Sequence, residues 1–367
     1  MGCFFGKDRD EIKIRKKQKD VPMKEKNYLF EFIRLLFTVS VIISHASATI
    51  YKGEIVSGNV AVDGFFMLSG LFMAKQLHDR QGGAEEKIFV NYHLHRIKRL
   101  FPMYFLSCMT GIFFSAIFFH KIPLKNWPAL YFLGDINGIP GFWVTWYVAA
   151  LFWAGIFVSA FLIWKEKLSV LVIFPLLFFI TFSYMYSYHN LWLYAQPLIK
   201  GFFSVGIVKA VCALIVGTEV FYLSQWLKNK KERVKSKVRK IFAFLCEIIF
   251  IYGFASSFWI WFSPRNFFVY LYVPLIMLVI LLEEEFIFRI FNRKIFAFLG
   301  KLTYSVYLTH LYFIKFLEKT GFCEKIFPVI TYIVLVPAAF FIGWIFCKIE
   351  KFCVMILNEL LIKKEIP

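Results

Sequence analysis

Long apolar runs, broken by short and mostly basic polar stretches, succeed one another along nearly the whole chain. Runs of about 18 or more apolar residues, each able to cross a hydrocarbon core of roughly 30 Å as a helix, recur with few interruptions. They predict about ten spans, at roughly 29–50, 59–77, 101–119, 143–164, 169–187, 201–224, 241–262, 267–288, 302–317 and 327–347. Lipid offers the backbone no hydrogen-bond partner, so a spanning segment must be a helix or part of a closed barrel, and these runs lack the short alternation of barrel strands. The expected fold is all-α, a polytopic integral membrane bundle of about ten transmembrane helices. Three parts are expected: a basic tail at 1–27, a membrane domain at 28–347 and a second tail at 348–367.

Composition supports the membrane class: 59% of the 367 residues are hydrophobic and only 18% charged, too apolar for a soluble surface. An even number of spans puts both termini on one side. With that side cytoplasmic, the inside loops and tails hold roughly 32 Lys and Arg against roughly 7 outside, the asymmetry of the positive-inside rule. Both termini are thus expected in the cytoplasm, with an inner-membrane, multi-pass location. The formal charge of +19 does not imply nucleic acid, because the cations lie between apolar runs rather than on a folded basic face. The run from Lys228 to Lys240 reads as an anchor to anionic lipid. The outer stretch from His120 to Phe142, with Pro123, Pro128 and Pro140, reads as an irregular cap. The seven cysteines show no CxxC spacing, so neither a disulfide framework nor a metal site is indicated, and His93 and His95 sit beside arginines without matched ligands.

Ionisable residues inside apolar spans are expensive and therefore informative. In the first span, Glu31 precedes Arg34 by one turn, and His45 follows eleven residues later. At about 100° and 1.5 Å per residue, Arg34 and His45 share a stripe and stand roughly 16 Å apart. Two readings stand: a Glu31–Arg34 pair at the interface with His45 as a core residue, or a polar pathway with chemistry at His45. Arg96 and Arg99 face one way if their segment is helical, and two guanidinium forks in a cytoplasmic loop suit the phosphates of a cofactor such as coenzyme A, unless they are plain topology charge. Asp63 lies near the outer boundary of the second span, between glycines that permit close helix approach. Tyr304, Tyr307 and His310 form a stripe expected to face the bundle interior, and Trp143 and Trp146-Tyr147 form an interfacial belt or a platform for a sugar ring.

In this order the pieces resemble the membrane acyltransferase-3 family, which acylates sugars of surface polysaccharides and related carbohydrates. Glu31-x-x-Arg34 followed by His45 is similar to that family's acidic-x-x-Arg and His first helix. Asp63-x-Phe65-Phe66-x-x-Ser69-Gly70, Arg96-x-x-Arg99, Trp146-Tyr147 and Ser305-x-Tyr307-x-x-His310 are similar to its later motifs. Glu31 stands where Asp is more usual, and Ala61 where Gly often precedes the Val-Asp pair.

The resemblance implies an O-acyltransferase, most simply an O-acetyltransferase, that moves an acyl group from cytoplasmic acetyl-CoA to a hydroxyl of a surface polysaccharide, lipid-linked glycan or similar carbohydrate acceptor. Coenzyme A phosphates would meet Arg96 and Arg99, and the pantetheine arm would run past Arg34, with Glu31 beside it, toward His45. His45 would be general base or acyl-accepting nucleophile. Asp63, Ser69, Trp146, Tyr307 and His310 are candidates for substrate contact or oxyanion stabilisation. Membrane lipid is the expected surrounding; a homo-oligomer is left open, and nucleic acid and metal have no expected role. The alternative is a transporter or flippase for a lipid-linked saccharide, which would also need buried Arg, His and Glu, with Pro175, Pro274 and Pro337 as its helix breaks.

Overall fold

The computed structural model describes residues 27–51, 58–80, 84–120, 144–188, 197–199, 203–230, 235–257, 264–321 and 328–364. The basic tail through residue 26, Trp143 and the proline-bearing stretch after His120 lie outside the described residues. The helices run in chain order as α1 (Leu29–Ile50), α2 (Gly58–His78), α3 (Glu85–Phe119), α4 (Thr145–Trp164), α5 (Phe174–Tyr188), α6 (Val205–Lys230), α7 (Ser236–Ser256), α8 (Val269–Leu282), α9 (Lys294–Thr320) and α10 (Pro328–Lys364). A turn at Glu166–Leu168 and a π segment at Ser169–Ile173 lead into α5. Among the described residues the only strands are a short antiparallel pair, Pro197–Ile199 with Phe203–Ser204.

Seven of these segments are long and apolar enough to cross a membrane: α1, α2, α3, α4, the rod from Glu166 through α5, α6, and α10. Seven of the ten expected crossings coincide with these helices, and the other three, at α7, α8 and α9, are also helical but fall below that apolar length. α7 opens with Lys237, Arg239 and Lys240 and carries Glu247, and α9 carries Lys301, Lys315, Glu318 and Lys319. α8 has 14 residues, about 21 Å at 1.5 Å per residue, which is short of the hydrocarbon thickness. Residues 348–364, expected as a separate tail, continue α10 without a break.

Helices in lipid gain nothing from hiding apolar surface from one another, so close packing must bind them, and small residues allow it. The most extensive pairing is α2 with α6. A Cβ on Gly70 would collide with the Leu214 carbonyl, and one on Gly217 with the Met67 carbonyl, so each helix presses its backbone into the other. α1 lies between α2 and α9, and α9 packs on α10. α9 is also tied to α3, where the Tyr304 hydroxyl donates to the Leu100 carbonyl at 2.9 Å and the Tyr312 hydroxyl to the Ser107 carbonyl at 2.8 Å. Glu247 of α7 accepts the backbone N–H groups of Phe286, Ile287 and Phe288 at 2.9, 2.7 and 3.3 Å, which pins the link between α8 and α9. At about 1.5 Å per residue the 35-residue α3 far exceeds a hydrocarbon core of ~30 Å, so its basic first half projects beyond it.

Candidate active site

α1 carries a polar column from one end to the other. Near its start Glu31 sits in the first turn, where a carboxylate meets the positive end of the helix dipole. Arg34 Nη1 donates to both Glu31 oxygens at 3.1 Å, and its guanidinium lies 4.8 Å from the Phe72 ring centroid. Glu31 packs directly on Gly300 of α9, where a Cβ would displace the carboxylate. Glu31 and Arg34 both stay partly exposed, with side chains 28% and 30% accessible, so the pair is open to a ligand as well as to each other.

Eleven residues and about 16 Å further along α1, His45 meets His310 of α9. His45 Nδ1 lies 2.7 Å from His310 Nε2, and the rings are parallel within 2°. His310 is fully buried, whereas His45 is half-buried. The residues of the expected α9 stripe point to three different neighbours: Tyr304 to α3, Tyr307 to Tyr147 of α4, and His310 to α1.

Between the two ends of the column lies a run of hydroxyls and rings. The Tyr307 ring is 6.0 Å from His310 and 5.1 Å from Tyr147, centroid to centroid. The Tyr147 hydroxyl interacts with Ser69 of α2 and lies within electrostatic reach of Arg96, Arg34 and Arg99. Phe65 packs its edge on both Tyr147 and Tyr307. Four helices therefore converge on this column, each through a residue that the sequence had marked.

Arg96 and Arg99 lie one turn apart on α3 but differ in burial. Arg96 is buried, 7% exposed, and its Nη1 and Nη2 donate to the Tyr92 hydroxyl at 3.1 Å and the Leu151 carbonyl at 3.4 Å, whereas Arg99 is exposed. Their charges still act on one another and on Arg34. Among the described residues no carboxylate pairs with Arg96 or Arg99, and the buried Arg96 Nε has no hydrogen-bond partner. A buried guanidinium without a counter-charge suits an anionic ligand.

Two marked residues are engaged in packing. Asp63 is fully buried and pairs with Lys209 of α6 at 3.4 Å, while the Tyr270 hydroxyl donates to its other oxygen at 3.2 Å. Trp146 is 6% exposed and packs on Phe66 and Tyr147 rather than lying open as a platform. Sequence reading had not reached Lys209, although it is the one charge within the apolar run from Val205 to Val216, nor Tyr92 and Gly155, which hold Arg96 and carry no charge to mark them.

The fold is that of a multi-pass membrane protein with a polar column between its helices. Residues 27–348 match the acyltransferase domain of the membrane acyltransferase-3 family, and the chain belongs to that family; it is an acyltransferase. No curated relative and no solved structure matches it. The family places the chain among acyltransferases, which the transporter alternative does not explain.

Proposed function

We propose that this acyltransferase moves an acyl group, most simply acetyl, from cytoplasmic acyl-CoA to a hydroxyl of a cell-surface or exported carbohydrate, within an inner membrane and with both termini in the cytoplasm. The observation that carries this reading is the column itself: the Glu31–Arg34 pair with the unpaired Arg96 and Arg99 within electrostatic reach at one end, the half-buried His45 at the other, and hydroxyls between them. Arg96 and Arg99 would take the phosphates, Arg99 from the solvent side and Arg96 through its unused Nε. Arg34 would guide the arm of the thioester past Glu31 toward His45.

At the far end the acceptor hydroxyl attacks the thioester carbonyl carbon while His45 takes the hydroxyl proton. The carbon–sulfur bond then breaks, and the proton passes to the departing thiolate. In the two-step form His45 attacks first and thiolate leaves; the acceptor oxygen then displaces the imidazole, and the acceptor's proton passes to the thiolate. Tyr307, beside Tyr147, supplies a hydroxyl donor to the developing oxyanion, and Ser69 would do the same by turning its hydroxyl from the Phe65 carbonyl, to which it donates at 2.8 Å. Asp63 is better assigned to the Lys209 pair than to substrate.

The test is transfer of radiolabelled acetyl from coenzyme A to surface glycan by membranes holding the wild-type chain or His45→Ala at equal expression. Loss of about 10²–10⁴ in rate is expected from removing the group. Undiminished transfer would remove His45 from the chemistry, and absence of label with the wild type would overturn the donor or the acceptor.

A further inference from the structure

The His45–His310 contact determines where the protons sit. His310 Nδ1 lies 3.1 Å from the Val306 carbonyl oxygen, one turn back in α9. A carbonyl only accepts, so His310 Nδ1 carries the proton of that bond. A neutral imidazole has one such proton, which leaves His310 Nε2 as an acceptor. The 2.7 Å contact then requires His45 Nδ1–H to donate to it. His45 Nε2 is left with its lone pair, and among the described residues nothing hydrogen-bonds to it.

The scaffold holds this arrangement from behind. Gly343 of α10 lies so close to Val306 that a Cβ would come within 3.0 Å of its backbone nitrogen and Cα, which seats the carbonyl-bearing turn. Among the described residues no carboxylate hydrogen-bonds to or pairs with either ring, and Asp63 is committed to Lys209 and Tyr270. The neutral pair is thus ordered without a charged partner. Were His310 to turn its Nε2 into a donor, His45 Nδ1 would have to accept, the proton of His45 would move to Nε2, and the lone pair would be lost.

We propose that His310 is a positioning residue that holds His45 as its Nδ1–H tautomer and so makes Nε2 the reacting atom. This rests on the reading of His45 as base or acyl acceptor, and it serves both routes, since each needs a lone pair on the outward nitrogen. In the one-step route Nε2 gains the acceptor proton while Nδ1–H keeps its bond to His310. In the two-step route Nε2 forms the bond to the acyl carbon as carbon–sulfur breaks. The wrong tautomer costs about 10⁴ in kcat in the serine-protease triad, where an acid plays the orienting part.

The experiment is ¹⁵N NMR of the full chain labelled at histidine and reconstituted in bilayers, with His45 assigned by difference against His45→Ala, alongside acetyl-transfer kinetics. Wild-type His45 is expected as Nδ1–H. His310→Leu should move it toward Nε2–H and lower kcat by about 10²–10⁴, with the KM for the CoA thioester little changed. His310→Gln, whose amide oxygen accepts from Nδ1–H, should keep the tautomer and restore at least ~10-fold of the rate over Leu. Wild-type His45 found as Nε2–H would overturn the proposal, as would a folded His310→Leu variant with full kcat. If the Leu variant fails to fold, the wild-type spectrum and the Gln variant decide. A wild type that holds the expected tautomer but transfers no acyl group would sink the acyltransfer chemistry at His45 and leave the hydrogen-bond assignment intact.

Discussion

Arg96 Nη1 lies against the backbone of Gly155, where a Cβ would come within 2.8 Å of it. α4 thus leaves a gap one side chain wide for a guanidinium from α3, and the Leu151 carbonyl one turn earlier accepts from the same group at 3.4 Å. Gly155→Ala should push the guanidinium away without touching the column at His45. The KM for the CoA thioester should rise about 3–10-fold with kcat nearly unchanged, the pattern of lost binding common to ground and transition states. Gly155→Val should do more. Steady-state kinetics in which KM stays at the wild-type value would remove Arg96 from donor binding.

A second close approach predicts a matched pair of variants. Gly300 of α9 leaves room for the Glu31 carboxylate, which holds Arg34 through two 3.1 Å contacts. Gly300→Ala should displace the carboxylate and reproduce Glu31→Gln, each lowering kcat/KM by about 10-fold, the size of one charge-assisted hydrogen bond. If Gly300→Ala leaves kcat/KM unaltered while Glu31→Gln lowers it, Arg34 is held by something other than this fit.

The link between α8 and α9 predicts a pH effect on stability. Glu285 is half-buried there and accepts from Asn27 Nδ2 at 3.2 Å. Burial pushes its carboxyl above the usual carboxylate range, against the pull of hydrogen bonds from its own backbone and from Asn27, and Glu283 and Glu247 push the same way as burial. A folded-state value raised above the unfolded one means that the folded protein keeps its proton longer. The stabilisation is complete below the unfolded value and is lost as pH rises through the folded one. Glu285→Gln cannot ionise, so it should raise the midpoint of thermal unfolding at about pH 8 and leave it little changed at about pH 4. An equal shift at both values would mean that Gln acts through packing instead.

The chain's character was readable because lipid enforces it: the backbone must be helical, and an arginine or histidine inside an apolar run stands out. Glu31, Arg34 and His45 were placed by helical repeat alone, and the structure keeps Glu31 and Arg34 together and turns His45 toward a neighbour. The partner of His45 was hidden by distance along the chain, since His310 is 265 residues away and only the packing of α9 on α1 joins them. Arg96 and Arg99 differ in burial in a way the spacing did not show, because three residues turn a helix by about 300° and leave the two about 60° apart. With α4 packed on one side, that angle is enough to bury Arg96 and expose Arg99. The apolar runs show where a helix can lie, and charges at the ends of α7 and α9 shorten the apolar stretch within it.

Asp63 and Lys209 supply the sharpest separation of packing from chemistry. The pair is 0% and 2% exposed, lies 3.4 Å apart and joins α2 to α6, with Tyr270 of α8 donating to the second carboxylate oxygen. Removing one partner strands a charge away from water, which costs about 3–5 kcal/mol, whereas replacing both with apolar groups of similar volume is often neutral or stabilising by about 1–4 kcal/mol. Asp63→Leu and Lys209→Met should therefore each lower folded yield and unfolding temperature strongly, and the double variant should recover most of both. Their coupling, measured as a double-mutant cycle of unfolding in detergent, should be several kcal/mol, on the order of the single losses. Because neither group reaches the column at His45, acetyl transfer by the folded double variant should stay within about threefold of wild type, a difference of under ~1 kcal/mol. A double variant that is stable and inert would return Asp63 to the reaction; one that is stable and active assigns the second-span acid to holding three helices in register around the site.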